Sequence, residues 1–257
     1  MGLSLKRFQS FCTVAVALLF FAGTAISQNA SQAAPTVDEI IDHYISAIGG
    51  RAAIEKVASR VSLGNIDVPS MHLSGTVMIH EKAPNKILQV VVINGNAFRQ
   101  GFDGKNGWTD DPADGERTLS GAQLAESRRD ADFYHPLHLH QIYSDLKYVG
   151  TEKLDDRDAY VLQGTPDGES EPDKMYFDPQ TGLIVRLVSH SHTPDGESTV
   201  TEDFQDYRKV DGLQLPYTVV QKGGSADFTI RIGELRHDVS LEDSEFAPPQ
   251  PGQSKVQ

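Results

Sequence analysis

The chain of 257 residues carries 36 Asp and Glu against 23 Lys and Arg, a formal net charge of −13. That balance repels nucleic acid and anionic membrane surfaces alike. One cysteine, Cys12, excludes a disulfide framework, so stability must come from a buried core, which a chain of this length can supply.

Residues 1–27 read as a secretory signal peptide, with a basic start (Lys6, Arg7), an apolar run from Phe11 to Phe21 and a small-residue cleavage site at Ala25-Ile26-Ser27. The apolar run is shorter than the roughly 20 residues that span a bilayer. Cys12 has no small-residue lipobox before it, so lipid attachment there is not expected. Cleavage would remove Lys6, Arg7 and the thiol, and leave an exported, soluble, more acidic chain. Residues 28–35 form a polar, Ala-rich leader that is expected to be flexible.

Thr36-Val37-Asp38-Glu39 has the T-x-x-E pattern of a capping box, so a helix is expected to begin at Thr36. Val37, Ile40, Ile41, Tyr44, Ile45 and Ile48 follow at three- and four-residue spacing as one apolar stripe, which Gly49-Gly50 ends. A second short helix over 51–58 would turn Ile54 and Val57 inward. From Leu63 the period changes to two. Leu73, Val77 and Ile79 alternate with Ser74, Thr76, Met78 and His80, and Ala83-Pro84-Asn85 turns the chain into a strand from Lys86. Asn94-Gly95 is a hairpin signal, and Asp103-Gly104 and Asn106-Gly107 bracket a corner before Trp108.

Between Ser120 and Leu146 the helical period returns, with Ser120-Gly121-Ala122-Gln123 as a weaker capping box and Pro136 placed to open a further turn. Strands resume at 148–153, 159–165, 175–177, 183–191, 200–207, 213–221 and 227–235, and the prolines Pro248, Pro249 and Pro251 make 247–257 a disordered tail. The turn phrases around Asp103-Gly104, Asp178-Pro179 and Asp211-Gly212 keep no fixed spacing, which argues against a propeller or solenoid. The expectation is a single domain over 36–246, α+β but mainly antiparallel β.

Four segments together carry a resemblance: Tyr44-Ile45-Ser46-Ala47-Ile48-Gly49-Gly50-Arg51-Ala52-Ala53, Phe102-Asp103-Gly104-Lys105-Asn106-Gly107-Trp108, the hairpin from Tyr176 to Arg186, and Tyr207 to Pro216. They resemble exported bacterial proteins of the outer-membrane lipoprotein-sorting (LolA/LppX-like) superfamily, over most of the chain. These motifs are turns and strand starts, so they speak for fold more than for activity. The resemblance implies a strongly curved half-open β-barrel closed by a few helices over an apolar cavity. It also implies a non-catalytic periplasmic carrier or binder of lipids or lipoprotein acyl chains, with transient inner- or outer-membrane partner proteins. No polar residue of the lipoprotein carrier's cavity mouth is carried over to a position here.

Other chemistry competes with that reading. His135, His138 and His140, with His190 and His192, suggest a metal-dependent envelope hydrolase, because imidazole is a common zinc ligand. On a helix His135 and His138 share a face, on a strand His138 and His140 do, and neither conformation aims all three at one ion. Surface or rim histidines are therefore expected, and no cofactor. The carboxylate pairs Asp110-Asp111, Asp155-Asp156 and Glu202-Asp203 are expected as solvated groups at turns and strand ends, and Ser120 lacks a G-x-S-x-G elbow. A third reading keeps the fold but fills the cavity, giving a non-transporting interaction or sensor module.

Alternation places Leu73, Val77, Ile79, Val91, Ile93, Leu183, Val185, Leu187, Leu215, Val219, Ile230 and Ile232 on one sheet face, with the aromatics Phe98, Tyr217 and Phe228. These are the candidate lining of an apolar cavity. Trp108, Phe102, Tyr160 and Phe177 are further aromatic candidates, and ordinary core explains the set as well as a ligand wall does. The chain is expected to act as a monomer.

Overall fold

Thr36 opens the first helix through a complete capping box. Its hydroxyl accepts from the Glu39 amide at 3.2 Å, and the Glu39 carboxylate accepts from the Thr36 amide at 2.8 Å. The resulting helix α1 (Val37–Ala47) is followed by the short α2 (Arg51–Lys56). The computed structural model describes residues 34–193 and 196–249; the expected signal peptide 1–27, most of the leader and the end of the tail from 250 lie outside these.

Six strands then run as a meander: β1 (Ser59–Val68), β2 (Leu73–Lys82), β3 (Lys86–Ile93), β4 (Asn96–Phe102), β5 (Gly107–Asp111) and β6 (Gly115–Thr118). A helical crossover follows, with α3 (Gly121–Asp130), a 3-10 turn over His135–Leu137 that contains Pro136, and α4 (Leu139–Ile142). The second meander comprises β7 (Lys147–Leu154), β8 (Arg157–Gly164), β9 (Asp173–Phe177), β10 (Ile184–Thr193), β11 (Gly196–Val210), β12 (Leu213–Gly223) and β13 (Phe228–His237). The sequence pattern had placed β1 four residues late and missed β5 and β6. Arg60 and Ser62 hold inward positions of β1, so its start reads as polar, and β6 is exposed throughout.

All thirteen strands form one sheet in the order β6-β5-β4-β3-β2-β1-β13-β12-β11-β10-β9-β8-β7. Every pairing is antiparallel, and each joins neighbours in sequence except β1 with β13, which meet through Ile66 opposite Ile230. The edge strands β6 and β7 do not pair, so the sheet is not closed. The crossover is the segment that joins these two edges.

One face is the interior. α1 lays Ile40 and Ile41 against Leu139 and Tyr143 of the crossover and Leu162, Met175 and Phe177 of β8 and β9. Ile48, Ile54 and Val57 pack with Leu213, beside Phe133 and Leu137. The opposite face of β1–β5 has a cover of its own. Val61, Leu88 and Trp108 are buried under Leu241 and Phe246 of the chain's C-terminal segment, and the Trp108 indole donates to the Phe246 carbonyl at 2.8 Å. Gly101 makes room for that ring, since a Cβ there would lie 2.6 Å from it. Lys82 and Lys86 both pair with Asp243 at 2.8 Å and fasten the same segment.

Phe246 is 0 % exposed. Its truncation in Phe246→Ala is therefore expected to cost about 3–5 kcal/mol of unfolding free energy, measured by urea denaturation; a loss below about 1 kcal/mol would show that the C-terminal segment is not part of the cooperative core.

Candidate functional site

Between the inner sheet face and the helices lies a cavity of about 850 Å³. It is walled on one side by residues of β1–β4 and on the other by residues of β9–β13. Strands several places apart in the sheet thus face a common space, which requires the sheet to be bent. Tyr44, Ile48, Ile54 and Val57 of α1, α2 and the following turn, and Phe133 and Pro136 of the crossover, complete its lining.

Of the residues singled out by alternation, Ile79, Leu187, Leu215, Val219, Phe228, Ile230 and Ile232 line this space. Leu73, Val77, Val91 and Ile93 join Ile79, Phe228, Ile230 and Ile232 in one cluster with Ile66 and Val68, so the apolar wall runs on toward the β1–β2 end of the sheet. Phe98 sits opposite Val91 on β4 and is 41 % exposed. Leu183 packs instead with Ile48 and Leu213.

Two of the expected residues lie elsewhere. Val185 packs against Ala159, Val161 and Tyr176, away from the cavity. The cause is a bulge between Ile184 and Arg186: two residues of β10 fall where strict alternation allows one, so Ile184 and Leu187 face inward while Val185 does not. Tyr217 is buried beneath the Arg208 guanidinium, 4.4 Å from the ring centroid, and is not a cavity-lining residue.

The other part of the cavity is polar. The expected cap at Ser120 does not form. The Gln123 amide instead donates to the His192 carbonyl at 2.9 Å, and the Glu126 carboxylate accepts from the His192 amide at 3.0 Å, which ties α3 to β10. At the other side α3 rests over Gly107, where a Cβ would stand 3.0 Å from Leu119 and 3.1 Å from the Ser127 hydroxyl. Seated in this way, α3 brings Glu126, Arg129 and Asp130 over Asp173 of β9, His190 of β10 and Glu202 of β11. Arg129 is drawn to Glu169 at 3.4 Å, and His192 to the same carboxylate at 2.7 Å.

Glu202 was expected as a solvated carboxylate at a strand end. It lies instead in the middle of β11, on the cavity wall opposite Leu187 and Gln221, because β11 extends well beyond the expected strand. It makes no hydrogen bond or ion pair among the described residues, and burial raises its carboxyl above the ordinary range. Asp130 also lacks a hydrogen bond. Its side chain lines the cavity while the residue keeps exposed surface, and desolvation by its neighbours, followed by the nearby Glu126 carboxylate, pushes it up to about 7. Asp173 is 3 % exposed, accepts from the Tyr143 hydroxyl at 2.8 Å, and is raised chiefly by burial.

The histidines do not converge. His138 pairs with Asp132 at 2.7 Å, His140 with Asp38 at 2.9 Å and His192 with Glu169 at 2.7 Å. His135 lines the cavity, where burial pushes it down to about 4. Among the described residues no group of three or more His, Cys, Asp or Glu side chains is arranged to hold a metal ion. Asp110 pairs with Arg99 at 2.8 Å.

The fold is one open antiparallel sheet whose two edge strands are joined by a helical segment. Solved structures that include LolA-like proteins share this fold. A LolA superfamily protein from Nitrosomonas europaea superposes with a TM-score of 0.52 at 15% identity, over 83% of this chain and 98% of its own. A DUF1329 family protein from Desulfovibrio piger gives a TM-score of 0.54 at 18% identity, over 82% and 97%. A domain assigned to outer membrane lipoprotein sorting, from Vibrio parahaemolyticus, gives 0.52 at 14% identity, over 76% and 92%. No family model and no curated protein matches the chain. Among the described residues no helix is long and apolar enough to cross a membrane.

The cavity carboxylates set a sign for stability against pH. Asp130 has an ordinary value of 3.8 and stands at about 7 when folded, so the native state holds this proton more tightly than the unfolded chain does. The stability contributed by the protonated form is lost as pH rises from 3.8 through about 7. The melting temperature is expected to fall between about pH 4 and pH 7 and to level off above, and Asp130→Asn to flatten that fall, as read by scanning calorimetry. Glu202→Leu should raise the melting temperature near neutral pH. Parallel slopes for wild type and Asp130→Asn would mean that this carboxyl titrates as an exposed one.

Proposed function

We propose that the protein is a non-catalytic binder or carrier of lipids or lipoprotein acyl chains, and that an acyl chain lies along the inner apolar wall. The observation that carries this reading is the continuity of that wall. Ile66, Val77, Ile79, Val91, Ile93, Phe228, Ile230 and Ile232 form one surface across four adjacent strands, and several of them line a cavity whose volume is typical of small-molecule sites. Each methylene moved from water to such a surface contributes about 0.8 kcal/mol.

The likeness in fold to proteins named for lipoprotein sorting supports the same reading. The sequence pattern of residues 1–27 adds export to the proposal, with the periplasm as the place of action and membrane proteins as donor and acceptor. Loading would require α3 to move. Polar contacts to His192 and Glu169 hold this helix, so it can part from β10 with little loss of apolar burial.

Filling the space tests the proposal without burying a charge. Val219→Trp is expected to exclude about two methylenes and to weaken binding of an uncharged fluorescent acylglycerol by about fifteenfold. Val220→Trp on the adjacent position of β12, which faces the other way, should leave it unchanged. Equal affinity in Val219→Trp and wild type, with both folded by circular dichroism, would remove the cavity as the binding site.

A further inference from the structure

The cavity is divided in chemistry as well as in shape. Around Ile79, Phe228, Ile230 and Ile232 its wall is hydrocarbon, the paired Arg60 and Glu81 with Ser62 and Gln89 stand further along β1–β3, and under α3 it presents carboxylates in excess. Glu126, Asp130, Asp173 and Glu202 meet there; of the arginines nearby, Arg129 is engaged by Glu169 and Arg60 by Glu81, while Arg117 borders the adjoining recess. Asp130 and Glu202 have no hydrogen-bond partner among the described residues. The His190 Nδ1 atom is buried without a partner, 4.0 Å from an Asp173 oxygen.

A further polar group is left unsatisfied in the same place. Ser127 is 3 % exposed and its hydroxyl has no partner. It lines a recess of about 200 Å³ that shares Gln100, Glu126, Asp130 and Ser191 with the main cavity. A half-buried carboxylate without donors, such as Glu202, costs stability, and a fold that needed only a filled core would place an apolar or paired group there. A ligand that brings donors and positive charge into the cavity would meet Asp130 and Glu202 together.

We propose that the occupant of the cavity is a cationic amphiphile, with an amine or ammonium head seated between Asp130 and Glu202 and its hydrocarbon chain along the Ile79, Phe228, Ile230 and Ile232 wall. This rests on the apolar-chain reading above and adds the charge of the head. Opposite charges in a partly desolvated pocket attract far more strongly than in bulk water. A fatty-acid carboxylate or a sulfate at the same place is repelled.

The groups that face Asp130 are Glu126 and Arg129 from α3, Asp173 from β9 and Glu202 from β11, all of which act on its charge. His190 of β10 and Tyr143 line the same part of the cavity. Protonation of Asp130 removes one negative charge from the head site. Affinity for a cationic head is therefore expected to weaken as pH falls through about 7.

Calorimetric titration of the full chain with n-decyltrimethylammonium, n-decyl maltoside and n-decyl sulfate, each below its micellar concentration, tests the proposal. Salt of about 0.3 M screens the chain's overall charge. The ammonium is expected to bind about tenfold tighter than the maltoside, and the sulfate more weakly than either. Glu202→Gln and Asp130→Asn should each reduce the ammonium affinity by about three- to tenfold and leave the maltoside affinity unchanged. Both variants should melt no lower than wild type, so loss of binding is not loss of fold, and Asp114→Asn on the exposed β5–β6 turn serves as the charge control. Equal binding of the three amphiphiles, or an equal loss in Asp114→Asn, would overturn the cationic head while leaving an apolar-chain binder. Failure of all three to bind would overturn both readings.

Discussion

Asp67 and Arg231 are 164 residues apart and form an ion pair across β1 and β13, at the one seam where strands distant in sequence meet. Each meander on either side of that seam is a set of local hairpins, and neither could enclose anything alone. Joined there, they become a single wall long enough to bend round a cavity and leave two free edges. The seam also fixes which side chains face inward. The register that sets Ile66 opposite Ile230 and Gly64 opposite Ile232 aligns the apolar rows of both meanders, and a slip of one residue would turn one row outward.

Much of this architecture is readable in the residues. The capping box at Thr36, the stripe from Val37 to Ile48 and the Asn94-Gly95 hairpin are local signals whose geometry depends on a few neighbours, and each forms as its chemistry directs. The inner face of β2 and β3 follows from simple alternation. What cannot be read is whatever depends on a partner far along the chain. Val185 lies outside the cavity because a bulge in β10 breaks the count, and no residue type announces that bulge. Ser59 to Ser62 read as polar because the cavity, rather than solvent, receives Arg60 and Ser62.

Glu202 marks the boundary between these two cases. It occupies the middle of the alternating triplet Val200, Glu202, Phe204, so its inward direction was written in the pattern and only its charge argued against it. Asp130 carried no comparable sign, since its position depends on how α3 is held by His192 and Gly107. A half-barrel that keeps such groups on its inner face forgoes stability there, and the apolar clusters elsewhere must compensate. The heaviest of these lie under α1 and behind β1–β5, away from the polar part of the cavity.

Trp108 is the single tryptophan of the chain, and it stands behind the cavity wall, bonded to the carbonyl of Phe246. Its emission is consequently an optical signal of one event, the docking of the C-terminal segment on the outer face. Quenchers dissolved in water reach it only when that segment lifts, because the ring is 2 % exposed. The molecule thus carries a native spectroscopic label for the integrity of its outer layer, separated by a sheet from the chamber within.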